Sequence, residues 1–505
     1  MGRPGFPYRR SIHQSAPGDK CLAVMFAALP LLISLEGCGA SAHIAPTAFQ
    51  QAISSSSLQP SIASIQIGDS LQFSIGGTQS SDPCTWNTST PSVLEDLGNG
   101  QFQAAQAGAT VVSALCGASY ATASVTVATQ EPTGPIQITS GGIYSGNWTS
   151  DDPQTPAVAI QTDQPVTIRD SVITSRGPLI ALSGVQTGAN VTVENVTGTA
   201  IDPGVAGMQR GAFVSANNIA SLIVRNCSMY GVSFGVYAAS SSPSTIKIVN
   251  NYGSNLEDRA SDGKGGLLAV RPELGHFIIL NNIEAPGAEI AWNEVYQVIG
   301  QSSTEDVINI YGSQGTQTNP ILIHDNYMEG YSSPATGHYD GGGVITDGNA
   351  VNAISAFVQI ESNDILHTPG GGVSIANGHD ISASGNRLVS CGYDDSSGWY
   401  ATEDADAVAI FDYYNTGPNN FFNNSISSSI GGFVGEGTGG APLIVDQYVN
   451  PLAATYPGIA LGSSDFTDPC ITNGRLNLQA ENDEKTYWQQ KVIAAGQLIG
   501  DQHSN

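Results

Sequence analysis

Val166-Thr-Ile-Arg-Asp170, Val191-Thr-Val-Glu-Asn195, Leu222-Ile-Val-Arg-Asn226 and Ile246-Lys-Ile-Val-Asn250 follow one pattern: a short run of alternating apolar and polar side chains that stops at Asn or Asp. Phe277-Ile-Ile-Leu-Asn281, Leu322-Ile-His-Asp-Asn326, Val358-Gln-Ile-Glu-Ser-Asn363, Ile381-Ser-Ala-Ser-Gly-Asn386 and Asn420-Phe-Phe-Asn-Asn424 extend the series. Alternation at period two marks a strand with one buried face. Recurrence at spacings of roughly 20 to 45 residues marks a solenoid, whose units bury their apolar side only against their neighbours. An Asn at the same turn of every coil can bond backbone groups of its own and the adjacent coil, satisfying polar groups that stacking would otherwise bury. A β-propeller or a second sandwich is the competing architecture, but the asparagine ladder and the uneven coil lengths, as if loops sprout from one side, favour a parallel β-helix over 135–470. Its coils would sit ~4.8 Å apart. Beyond Cys470, Lys485-Thr-Tyr-Trp-Gln-Gln-Lys-Val-Ile-Ala-Ala reads as helix, and the tail 471–505 is expected to cover the open end of the solenoid.

Upstream, from Ile62 to Val127, the pattern changes to short strands such as Ser70-Leu-Gln-Phe-Ser74, Thr110-Val-Val-Ser-Ala114 and Ala123-Ser-Val-Thr-Val127, separated by Gly and Asp turns. Gly68, Cys84-Thr-Trp86, Thr90-Pro-Ser-Val93, Gly98-Asn-Gly100 leading into Ala105-Gln-Ala-Gly108, and the closing Val-Thr-Val resemble a bacterial Ig-like domain of the second group, here 61–129. Trp86 is then a core residue of a sandwich rather than a sugar platform. Cys84 and Cys116 could form a disulfide in an exported domain. Residues 39–60, rich in Ser, Ala and Gln, read as a tether.

At the N-terminus, Arg3, Arg9, Arg10 and Lys20 precede an apolar run from Cys21 to Leu35 and then Leu35-Glu-Gly-Cys38. This order is that of an export signal. Residues 1–38 resemble a bacterial lipoprotein signal, which implies lipidation at Cys38 and a place at the cell envelope. A conventional cleaved signal followed by secretion, or a single membrane anchor, are the alternatives. The apolar run, interrupted by Pro30, is short for the ~20 residues that span a bilayer, so contact with a membrane is expected through a lipid only.

The 505 residues carry a formal net charge of −27 with only 16 Lys and Arg, which disfavours nucleic acid as a partner. The 59 glycines and the 12% of charged residues favour turn-rich β structure. A monomer is expected.

The repeats, with Glu305-Asp-Val-Ile-Asn-Ile-Tyr311, Gly315, Gly341-Gly-Gly-Val344 and Gly370-Gly-Gly-Val373, resemble the right-handed parallel β-helix superfamily of pectate-lyase-like lyases and polygalacturonase-like hydrolases. The resemblance implies a right-handed coil and a polysaccharide as partner; it does not fix the reaction. The chain has no Asn-Thr-Asp, Gly-His-Gly or Arg-Ile-Lys, so a simple pectin hydrolase is disfavoured.

Elimination on a uronate needs a base for the C5 proton and a cation against the carboxylate. Lys264 or Arg271 as base and Arg259 as neutraliser would supply both. Asp258 and Asp262 in the same loop could hold Ca²⁺. The ordinary alternative is that these residues pair with Glu257, Asp258 and Asp262. Hydrolysis needs two carboxylates ~5 Å apart for retention or ~6.5–9.5 Å for inversion. Aligning the inward residues of 306–311, 342–347, 371–376 and 406–411 puts Asp306 and Asp406 in one column, three coils and therefore ~14 Å apart, so closer partners would come from loops at Asp340 and Asp404. Trp399, Tyr400, His338 and Tyr311 are candidates to hold sugar rings. His324, His338, His367 and His379 match no metal-binding spacing. The expected activity is binding and cleavage of an extracellular polysaccharide, by elimination or hydrolysis; a non-catalytic adhesin is the alternative.

Overall fold

The computed structural model describes residues 58–501 apart from 68, 76–83, 117–118, 129–132, 183, 185–187, 299–300, 331–340, 350–351, 369, 392–405, 437–441, 445–446, 463–468, 473–474 and 478. Cys38 and most of the proposed tether lie outside these residues. The first described unit is a small β-sandwich. Ile62–Gln66, Ser119–Ala128, Gly108–Cys116 and Cys84–Thr88 form a four-stranded sheet, and Ser70–Gln72, Gln101–Ala104 and Leu94–Gly98 a three-stranded one. Alternate residues of both sheets, among them Leu94, Phe102, Val112, Ala123 and Val125, make one core. Trp86 packs against that core, 6.2 Å from the Phe102 ring and edge-on to it. Cys84 and Cys116 are register partners on neighbouring strands and are joined by a disulfide.

The described residues between Ile136 and Leu461 form a parallel β-helix. Each coil gives one strand to an 11-stranded sheet and, in most coils, two to a 20-stranded sheet that folds round a corner. One coil runs Phe234–Ala239 in the first sheet, then Thr245–Val249 and Tyr252–Ser254 in the second, and the next coil starts at His276–Asn281. Register is held for the length of the 11-stranded sheet: Val236, Ile278, Ile308, Val344, Val373 and Val408 are successive partners. All six are buried, so each coil repeats the same inward apolar position. A buried aliphatic side chain of this kind is worth about 1.5–3 kcal/mol, and the gain exists only when the next coil is in place.

The corner of the 20-stranded sheet explains the recurrent Asn. Asp170, Asn195, Asn226, Asn250, Trp292, Asp325 and Ser362 all have φ between 46° and 60°. They occupy one position in successive coils, where the chain turns through a left-handed residue. Asn and Asp tolerate that conformation best among residues with a side chain. The following residue points inward, and in five consecutive coils it is Asn: Asn251, Asn293, Asn326, Asn363 and Asn386. Each of the first four donates both its backbone N–H and its side-chain Nδ2 to the next asparagine's Oδ1, at 2.9–3.1 Å. Each also reaches back to a carbonyl of the preceding coil, Asn326 Nδ2 to Ile290 O at 2.9 Å for example. The expected ladder therefore exists, but the repeat read from sequence mixed two adjacent positions, since Asn195, Asn226 and Asn250 are corner residues and not rungs. It also mixed two sheets, because Phe277–Asn281 pairs within the 11-stranded sheet.

The C-terminal helix, Gln479–Ala495, forms where expected but does not close the end of the solenoid. It lies along the outer side of the 20-stranded sheet. Glu484 pairs with Arg387, Trp488 donates to the Asp325 carbonyl, and further on Gln497 and Gly500 bond Asn250. These contacts cross successive coils, and the helix carries Trp488 into an apolar cluster with Tyr327 and Leu366 on the sheet's side, which an end cap would not reach. A second disulfide, Cys391–Cys470, ties the base of this segment to the last coils.

Candidate functional site

The connection 255–275 runs from the 20-stranded sheet into the start of His276–Asn281, a strand of the 11-stranded sheet. The basic loop singled out in the sequence thus leads to this edge, while residues 392–405 of the acidic loop lie outside the described residues.

On this edge the alternation slips. Phe277 and Ile278 are both core residues, as are Val307 and Ile308. The slip turns the residues before them, His276 and Asp306, to the outer side, and these two are register partners on adjacent strands. Glu305 completes a cluster with them: His276 Nε2 lies 3.6 Å from Glu305 Oε2, and His276 Nδ1 lies 3.8 Å from Asp306 Oδ2. Nδ1 is also 3.2 Å from the Asp306 carbonyl oxygen. The side chains of His276, Glu305 and Asp306 are 4%, 18% and 12% exposed, so the charges are partly withdrawn from water. Phe234 packs on the His276 ring at 5.9 Å. Asn309, on the same outer side, donates Nδ2 to Asp306 Oδ2 at 3.1 Å. Across the next strand, Gly342 is the partner of Asp306, and a Cβ there would lie 2.3 Å from Asp306 Oδ1. The missing side chain leaves the carboxylate its place.

Further along the same face, Tyr237 and Tyr311 pack against a small apolar cluster of Ala212, Phe234 and Ile279. Tyr237 Oη accepts from Asn281 Nδ2 at 2.8 Å, and Tyr414 Oη donates to Asp347 Oδ1 at 2.7 Å. Tyr413 stands edge-on to Tyr414 at 4.8 Å. Asn281, Tyr311 and Asp347 are successive register partners. The outer face thus combines aromatic rings with amide and carboxylate groups.

The residues expected from sequence fall into four groups. Asp306 and Tyr311 lie on this face, with Asp306 turned outward where the alignment reads it as inward. Arg259 forms a two-point pair with Glu257, at 2.8 and 2.6 Å, and Arg271 pairs with Asp258 at 2.7 and 2.6 Å, all four largely buried. Removing a partner from such a pair leaves an uncompensated buried charge; these arginines brace the loop that leads to His276, with Asp258 also accepting the Gly275 N–H at 2.9 Å. Asp262 accepts the N–H groups of Lys264 and Gly266, at 2.7 and 2.9 Å, which hold its carboxyl below the usual range. Asp258 and Asp262 are thus each engaged by donors of their own loop. Lys264 is exposed on that turn. Asp406 stands at the start of its strand and accepts the Gly372 N–H through its carbonyl at 3.3 Å, which keeps it three coils from Asp306 as aligned. His338, Asp340, Trp399, Tyr400 and Asp404 lie outside the described residues. Sequence reasoning missed His276 and Glu305. The signal was there in the alignment of His276 with Asp306, but it is visible only once 276–281 is assigned to the 11-stranded sheet.

No family model matches this chain, and no curated protein is similar to it in sequence.

Proposed function

We propose that this protein binds an extracellular polysaccharide along the outer face of the 11-stranded sheet and cleaves it at the corner held by His276, Glu305 and Asp306. The observation that carries the reading is the meeting, on two adjacent strands, of an imidazole and two carboxylates at one end of an aromatic-rich face. Proton transfer by His, Glu or Asp is the chemistry such a cluster offers. Arg259 and Arg271 are engaged by Glu257 and Asp258, so an elimination would draw its base and its cation from the His276 corner instead. Two disulfides support a place outside the reducing cytoplasm, in keeping with an N-terminal export signal and a lipid anchor at Cys38.

The test is incubation of the protein with a panel of neutral and uronate-containing polysaccharides. Absorbance near 235 nm and reducing ends are followed together, and retention on each immobilised glycan is measured. Unsaturated ends mean elimination, and reducing ends without them mean hydrolysis. Either activity should be lost in Glu305→Gln with retention unchanged. Retention with neither product means a binding protein without catalysis, and neither retention nor product removes the reading.

A further inference from the structure

We propose that His276, Glu305 and Asp306 bind a single divalent transition-metal ion of the zinc or manganese class. Of the residues that the fold presents, these three are the described set of His, Cys, Asp or Glu whose ligand atoms come within 4.8 Å of one another.

The arrangement of the imidazole decides the argument. With its proton on Nδ1, the ring donates to the Asp306 carbonyl at 3.2 Å, which leaves the Nε2 lone pair facing Glu305 Oε2 at 3.6 Å. A metal-ligating histidine characteristically anchors its second nitrogen on a backbone carbonyl or a carboxylate in this way. Two donors each about 2.0–2.2 Å from a tetrahedral ion sit about 3.3–3.6 Å apart. The observed separation therefore accommodates an ion bridging Nε2 and Oε2, and the ligand atoms of all three residues lie within 4.8 Å of one another.

A second, independent feature points to a ligand. Asn309 is 1% exposed on the outer side of the sheet, its Nδ2 is spent on Asp306, and its Oδ1 has no hydrogen-bond partner among the described residues. A buried amide oxygen left without a donor loses free energy unless water or a cation meets it. An ion with its bound waters beside Asp306 supplies that partner. The donor set of one nitrogen and two oxygens selects against Ca²⁺, which prefers oxygen alone, and suits zinc or manganese. Three protein ligands leave at least one position open for water or a sugar oxygen, as in catalytic rather than structural sites.

The proposal does not depend on glycan cleavage. Purified protein stripped with EDTA is dialysed against Zn²⁺, Mn²⁺, Co²⁺ and Ca²⁺, and bound metal is counted per chain. The expected result is one Zn²⁺ or Mn²⁺ per chain, one Co²⁺ per stripped chain with visible ligand-field bands that report the imidazole nitrogen, and weak Ca²⁺ binding. Glu305→Gln and His276→Ala should each weaken binding at least tenfold while circular dichroism is unchanged, and Asp262→Asn should bind as the parent does. If His276→Ala does not fold, Glu305→Gln, which keeps the side-chain shape, decides. Absence of stoichiometric binding by the parent, or undiminished binding by Glu305→Gln, overturns the proposal. Metal binding without glycan activity leaves the proposal standing and removes the cleavage reading. Activity that survives EDTA, alongside a failed titration, does the reverse.

Discussion

Trp488 donates its indole N–H to the carbonyl of Asp325 at 3.0 Å, across 163 positions of sequence. Asp325 is a left-handed corner residue, so its carbonyl belongs to the turn that every coil repeats. The Trp488 ring fills a cluster with Tyr327 and Leu366, and it is 2% exposed. Truncating such a residue costs about 3–5 kcal/mol. Trp488→Ala should therefore free the C-terminal helix, seen as rapid limited proteolysis within 479–501 while the solenoid resists. Equal resistance in parent and variant would mean that the helix is held chiefly by its ion pairs.

The same helix is set on a titrating group. Asp364 is fully buried beneath it, with Arg387 at 3.7 Å and Lys491 at 4.0 Å. Burial pushes its carboxyl up to about 7 against the partial opposition of Lys491, and the ordinary value is 3.8. The folded state therefore holds a proton that the unfolded state has released. Its contribution is complete below the unfolded value and is lost as pH rises through about 7. At about 1.36 kcal/mol per unit the loss is up to about 4 kcal/mol. Asp364→Asn should unfold like the parent near pH 3.5 and at higher temperature than the parent at pH 8. A melting difference independent of pH would show that Asp364 is ionised throughout.

Rungs and corners of the asparagine ladder should respond differently. Asn326 accepts from Asn293 through both backbone and side chain and donates to Ile290 and Asn363. Asn326→Ala strands buried donors and acceptors and should cost about 2–4 kcal/mol. Asn226, with φ of 52°, serves the corner. Asn226→Gly keeps that conformation and should cost only a few tenths of a kcal/mol. Denaturant midpoints of the two variants compare the positions directly, and equal losses would contradict the division into rungs and corners.

The division also explains what the sequence could disclose. Period-two alternation is a local property, so the strands and the solenoid were legible from runs such as Val191–Asn195 without any tertiary information. Which side of a corner an asparagine occupies depends on a single left-handed residue, and Asn is favoured on both sides for different reasons. One-residue slips of that kind cannot be resolved by pattern alone. The candidate site was legible only in part for the same reason: the alignment put Asp306 in the register of its strand but read it as an inward residue, and His276 precedes Phe277-Ile278, where the alternation that guides such alignments is broken. The loop arginines looked available in sequence, because nothing local shows that Glu257 and Asp258 turn back onto them.

Cys227 offers a check on the interior that does not involve function. It is fully buried in the apolar core, and burial pushes its thiol well above the ordinary range. Thiolate is the reactive form, so the native protein should leave it unmodified by iodoacetamide at pH 8 and expose it only on unfolding. Labelling of Cys227 at the rate of a free thiol in the native state would indicate that the coils around it open.

Tyr237 and Tyr311 carry the last prediction, on how the proposed face binds. Both are half-buried with a side against Phe234 and Ile279, which fixes the rings before a ligand arrives. A prepositioned ring loses little freedom on binding, so its stacking is retained as affinity. An aromatic contact of about 0.5–1.5 kcal/mol beyond buried area translates to a weakening of up to about tenfold per ring. Tyr237→Ala and Tyr311→Ala should each retard less on an immobilised glycan that the parent binds, while melting within a few degrees of it. Glu305→Gln, at the far end of the face, should keep the retardation and lose turnover. If both tyrosine variants bind as the parent does, the glycan lies elsewhere, and the cluster at His276 must act on something other than a chain laid across this sheet.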